Sequence, residues 1–284
     1  MSSMTVLLKR HSLTVYFALV FVISWGAVLL VAGPEGFPLN AAQFESFGAL
    51  MYLAMIAGPG VAGIAMIAVT DGRSGLRQML ARLRRFPRGA SAYAVALLPA
   101  LVMTAATLVL SLVPELRPAI FDSSDKGAIL AAAILPSLMV GALEEIGWTG
   151  FAVPRMRLRH SAIATGLTVG VVWGAWHLPL FYEADSLSGG IAFSLLLARL
   201  FSWLPPLRVL MVWLHDHTES IPIVMLMHAM VSYVAITLAP EGLTSVRLLT
   251  IVLTSAAAMW LLVAVFALVR PSWARAPQDL VVSA

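Results

Sequence analysis

Residues 128–153 read AILAAAILPSLMVGALEEIGWTGFAV, a run in which Glu144 and Glu145 are the only charged side chains. Roughly 20 consecutive apolar residues carry a helix across the hydrocarbon core of a bilayer. The stretch reads as a membrane span that holds two adjacent carboxylates. Comparable apolar stretches lie on both sides of it, and they predict further helices near 12–33, 46–69, 91–113, 161–182, 190–214, 220–239 and 245–269. The expected fold is all-α: a polytopic membrane helical bundle of about eight transmembrane helices. A single integral membrane domain would occupy 1–284.

Composition agrees with that reading. Of 284 residues, 60% are hydrophobic and 11% charged, where soluble domains carry about 25% charged residues. The first apolar run, from Leu13 to Ala32, follows Lys9, Arg10 and His11. It exceeds the about 7 to 15 residues of a signal-peptide core and reads as a retained anchor. The chain has no cysteine, which excludes disulfides, thiolate catalysis and cysteine-ligated zinc.

The net charge of +4 does not point to nucleic acid, because the basic residues sit between apolar spans. Such a bias sets orientation in a membrane. With the N-terminus inside, 13 of the 18 basic residues fall on the cytoplasmic side, among them Lys9, Arg10, those of the 73–88 loop, Arg155, Arg157, Arg159, Arg270 and Arg275. Both termini are then cytoplasmic, in what reads as a bacterial cell membrane. Residues 75–86, GLRQMLARLRRF, place Leu76, Met79, Leu80 and Leu83 at helical spacing with arginines opposite. That pattern predicts an amphipathic helix lying on the inner leaflet.

Ionisable groups inside spans are costly, so each is a candidate functional residue. Besides Glu144 and Glu145, these are His177 in VGVVWGAWHLPLF, His228 in IPIVMLMHAMVSYVAI, and Arg199 and Arg208 in the sixth span. Antiparallel neighbours bring to one depth the residues equally distant from their turn. Glu144 and His177 are so related, with their midpoint near His160 at the end of the basic RMRLRH segment. His228 and Ser232 are four apart and share a helix face. Pro154 is expected to break the fourth helix. A carboxylate in an apolar site can be tuned to act as a general base. The chemistry suggested is activation of water by Glu144 with help from His177, attack on a peptide carbonyl, and oxyanion stabilisation by His228 and Ser232. Adjacent glutamates point about 100° apart on a helix and cannot share one role. Buried carboxylates and histidines also serve proton-coupled transporters, and the residues alone leave that open.

The segments EEIGWTGF, WGAWHLP and WLHDHTESIPIVMLMHAMVS, in that order and spacing, resemble the CAAX prenyl protease and bacteriocin-processing (Abi, CPBP) intramembrane protease family. The resemblance covers about 128–240. It implies an intramembrane endopeptidase in which Glu144 is the water-activating base, Glu145 its partner, His177 a second catalytic residue, and His228 with Ser232 the oxyanion stabilisers. Substrates would be membrane-associated proteins or peptides. Members are often called metalloproteases, and Glu144, His177 and His228 could hold a zinc ion or activate water without one; the sequence does not choose. Three positions depart from the family pattern. Trp173 stands where phenylalanine is usual, Ser232 where asparagine is common, and Thr149 where the Glu-Glu motif ends in arginine. The last removes a charge partner from the glutamates and would weaken or abolish proteolysis, which keeps a non-catalytic immunity or scaffold protein as an alternative.

Other metal and protease signatures fail. The zincin pattern of two histidines around a glutamate is absent, and His215, Asp216 and His217 read as an interfacial polar cluster. Gly72 to Gly75 imitates a rhomboid serine motif but lies in the arginine-rich loop, and no Gly-x-Gly-Asp occurs.

Overall fold

A computed structural model describes residues 8–33, 38, 41–239 and 242–269. Arg270 and Arg275, which contribute to the charge bias, and the two chain termini lie outside the described residues. The helices are α1 (Ser12–Ala32), α2 (Ala41–Thr70), α3 (Gly72–Leu83), α4 (Ala90–Leu110), α5 (Lys126–Gly147), a π-helical turn (Trp148–Ala152), α6 (Val153–Arg157), α7 (Ala162–Trp176), α8 (Leu178–Phe181), α9 (Gly190–Phe201), α10 (Leu204–Thr218), α11 (Ile221–Thr237) and α12 (Ser245–Val269). Among the described residues, six helical segments are long and apolar enough to cross a membrane: Ser12–Ala32, Glu45–Thr70, Ala90–Leu110, Lys126–Arg157, Gly190–Thr218 and Ser245–Val269. Two shorter apolar helices, α7 and α11, complete the eight expected segments. At 1.5 Å per residue these two span only about 22 to 26 Å, less than the about 30 Å hydrocarbon core. They are the helices that position His177 and His228.

Three of the helices that build the centre, α5, α7 and α11, start on side-chain caps, which satisfy otherwise orphaned backbone N–H groups. Asp125 accepts from Ala128 N at 2.9 Å, Ser161 from Ala164 N at 3.1 Å, and Ser220 from Ile223 N at 3.3 Å. Close packing then depends on small residues, as is common between membrane helices. A Cβ on Gly141 would stand 2.5 Å from the Met225 carbonyl oxygen, and one on Gly166 would stand 2.5 Å from Val209 Cα. These contacts hold α5 on α11 and α7 on α10. Helix α10 is the centre of the bundle, with Leu204, Leu207, Leu210 and Met211 buried. The outside is apolar, with Leu30, Leu112 and Leu268 each more than 80% exposed.

Two expectations about helix breaks are corrected. The sixth span, expected as one helix over 190–214, breaks at Ser202 and Trp203 into α9 and α10. Pro205 and Pro206 lie in the first turn of α10; without N–H groups they cannot continue a ladder from α9, but they suit a helix start. Pro154 does not end the fourth span. The chain passes through the π turn, where Val153 N donates to Trp148 O, and Pro154 opens α6.

Helix α3 covers 72–83 rather than 75–86. Its Met79 is buried, and Leu76 and Leu83 pack on the bundle, while Leu80 stays exposed. At this end of the bundle Asp71 pairs with Arg155, Glu219 with Arg85, and Asp216 with Arg157 at 2.6 Å.

Candidate active site

Helix α5 delivers the two glutamates into different surroundings, as their angular separation requires. Both are buried. Glu144 Oε2 accepts the indole N–H of Trp173 at 2.7 Å and that of Trp148 at 3.3 Å, and Oε1 has no hydrogen bond among the described residues. Glu145 is fully engaged. Its Oε2 accepts from Thr149 Oγ1 at 2.5 Å and Arg208 Nη1 at 2.7 Å, while Oε1 accepts from Arg208 Nη2 at 3.0 Å and His228 Nδ1 at 2.8 Å. A bidentate guanidinium on a carboxylate is among the strongest polar contacts a protein forms.

The histidine tautomers follow from their partners. His177, the residue after α7, has Nδ1 2.8 Å from the Trp173 carbonyl oxygen. A carbonyl only accepts, so Nδ1 carries the proton and Nε2 is the nitrogen available for chemistry. His228 likewise commits Nδ1 to the Glu145 carboxylate, leaving Nε2. Trp173 is the common neighbour. Besides holding Glu144, its ring stands edge-on to His177 at 5.4 Å and to His228 at 5.1 Å, and the Arg208 guanidinium lies 4.3 Å from its centroid. A second aromatic chain runs from Tyr16 through Trp148 and Trp176 to His177. Helix α1 is tied to it by Trp25 Nε1, which donates to the Trp176 carbonyl at 2.9 Å.

The structure thus brings Glu144, Glu145, His177 and His228 around one indole. Ser232 lies one helical turn beyond His228, half-buried, and makes no hydrogen bond among the described residues. The expected loss of a charge partner through Thr149 does not occur. Thr149 donates to Glu145, and Arg208, 63 positions further on, supplies the guanidinium. Arg208 is fully buried. The sequence marks it as an ionisable group in an apolar span, and no local pattern assigns its partner. The π turn that follows the glutamates, a feature frequent at functional sites, also has no sequence signal beyond Pro154.

The two Nε2 atoms, which make no hydrogen bond among the described residues, have the chemistry of metal ligands whose other nitrogen is held by an acceptor. The geometry does not assemble a site, since no three His, Cys, Asp or Glu groups stand close enough to share an ion among the described residues. Glu144, His177 and His228 therefore do not fit zinc as arranged, and no step is derived through it. Asp216 is paired with Arg157, and His217 Nδ1 donates to the Trp213 carbonyl at 2.8 Å, as suits an interfacial cluster. Arg199 pairs with Glu183 at 2.8 Å, away from the centre.

Fold and centre together define a polytopic helical membrane protein with a buried carboxylate, imidazole and guanidinium cluster. Residues 126–234 match the family model described as Type II CAAX prenyl endopeptidase Rce1-like. Over 101 residues the chain is 24% identical to the CAAX prenyl protease 2 of Methanococcus maripaludis. That match covers 34% of this chain and 36% of that protein, so the likeness spans about a third of the relative's length. The matched region holds α5 through most of α11, and with it Glu144, Glu145, His177 and His228 of the centre.

Proposed function

We propose that this chain is an intramembrane endopeptidase that hydrolyses peptide bonds of membrane-associated substrates. The observation that carries the reading is the gathering of Glu144, Glu145 and two histidines with free Nε2 atoms around Trp173. Glu144 has one oxygen fixed by two indole N–H groups, so Oε1 takes a proton from water as that water attacks the carbonyl carbon. His177 Nε2 accepts a hydrogen bond that orients the water. His228, as an imidazolium held by Glu145, donates through Nε2 to the developing oxyanion, and the Ser232 hydroxyl joins it after a rotamer change. The C–N bond then breaks, and Glu144 returns its proton to the leaving amine. Glu145 does not exchange protons in this scheme; it holds His228 and Arg208 in place.

The relative named a CAAX prenyl protease suggests lipid-anchored C-terminal peptides as one substrate class. The Lys/Arg bias supports a cytoplasmic orientation for the end of the bundle that carries Arg85, Arg155 and Arg157. The test is cleavage of a lipid-anchored peptide by purified protein in detergent or liposomes. Wild-type protein cuts it and Glu144→Gln does not; equal cutting by both would remove Glu144 from the mechanism.

A further inference from the structure

We infer that Arg208 is the positioning residue of the whole centre, and that positions 149 and 208 are alternative seats for a single guanidinium. This rests on the proposed peptidase reading for its activity arm only.

Three contacts carry it. Arg208 grips Glu145 through both terminal nitrogens. Its guanidinium carbon lies over the Trp173 ring, and lysine cannot combine that contact with a bidentate grip on Glu145. Those neighbours hold the other three groups: Glu145 orients His228, while the Trp173 indole N–H holds Glu144 and its backbone carbonyl accepts from His177. One guanidinium from α10 thereby fixes the glutamates of α5 and the histidines of α7 and α11, without touching the oxygen assigned to water.

Thr149 explains why the place is singular. Its hydroxyl and Arg208 Nη1 converge on the same oxygen, Glu145 Oε2. Thr149 is buried at 1% exposure and Arg208 at 0%, so no solvent is available to a second cation. One carboxylate neutralises one guanidinium, and a second left unpaired in this interior is strongly unfavourable. Thr149 also sits close enough to reach Glu145 if a longer side chain replaced it. An arginine at 149 and an arginine at 208 would compete for one partner. With Arg208 present, Thr149 is a small donor that leaves Glu145 to a single guanidinium.

The interchange of the two residues tests this, since Thr149→Arg with Arg208→Thr keeps the composition and total volume of the site. Thermal midpoints and cleavage rates are measured for wild type, R208T, T149R, R208K and the T149R/R208T double variant, with rates taken well below each midpoint and per folded protein. Each of the R208T and T149R single changes lowers the midpoint by about 6 °C or more and the rate by about 100-fold. The double variant recovers most of the midpoint and returns to within about 10-fold of the wild-type rate, whereas R208K recovers the midpoint in part and the rate little. If R208T does not fold, recovery of folding in the double variant is the same result. A double variant no better than R208T overturns the inference, as does a T149R protein equal to or better than wild type. If the midpoints follow the interchange while wild type cuts nothing, the peptidase reading fails and the shared guanidinium seat stands.

Discussion

Glu144 and Glu145 are neighbours in sequence with opposite duties, and isosteric replacement separates them. Glu145 accepts four hydrogen bonds, two of them from a guanidinium with no exposure. Glu145→Gln removes the negative charge and leaves Arg208 buried without a counter-charge. Removing one partner of a buried ion pair costs about 3 to 5 kcal/mol. For a chain of this size each kcal/mol moves the midpoint by about 2 to 4 °C, so the loss is about 6 to 20 °C. Glu144 differs, because its only hydrogen-bond partners among the described residues are two indole N–H groups on Oε2. In Glu144→Gln the amide oxygen still accepts from Trp173, and the change is about 1 kcal/mol or less, or about 4 °C at most. Activity runs the other way: loss of a general base lowers the rate by about 100- to 10,000-fold. The assay is unfolding followed by tryptophan emission in detergent, beside cleavage of a lipid-anchored peptide. Equal midpoints for the two variants, or a Glu144→Gln protein less stable than Glu145→Gln, would refute this division.

Trp173→Phe deletes the 2.7 Å bond to Glu144 while keeping a ring for the histidines, so it lowers the midpoint by about 3 to 12 °C, from about 1.5 to 3 kcal/mol; an unchanged midpoint in the same scan contradicts the contact. Gly141→Val places a side chain where a Cβ already meets the Met225 carbonyl oxygen, and overpacking of about 1 to 3 kcal/mol should appear as a lower midpoint together with faster proteolytic nicking of α11. Asp71→Asn removes the partner of Arg155, but Asp71 is 42% exposed. Its pair is therefore worth about 1 kcal/mol or less, and a midpoint within a few degrees of wild type is expected.

The membrane class was legible because long apolar runs have one outcome in a bilayer, and Glu144, Glu145, His177 and His228 were legible because ionisable side chains stand out there. What the sequence hid depends on contacts between distant segments. Arg208 and Glu145 are 63 positions apart, and no periodicity connects α10 to α5, so Thr149 read as a lost charge when it is a small donor beside a supplied one. Trp173 read as a mild replacement for phenylalanine, whereas its N–H holds Glu144. The break before α10 carried a signal in Pro205 and Pro206. The continuous apolar run across it masked that signal, because hydropathy registers side chains and not the missing N–H groups.

Hydrolysis by water that Glu144 activates leaves an isotopic signature in the products. Purified wild-type protein and Glu144→Gln are reconstituted in liposomes with a lipid-anchored peptide in water enriched in heavy oxygen, and the products are weighed by mass spectrometry. Wild type yields two fragments whose masses sum to peptide plus one water, with the heavy oxygen in the new carboxylate, and the variant leaves the peptide intact. Intact peptide with both proteins, or the same labelled fragments from both, would contradict activation of the water by Glu144.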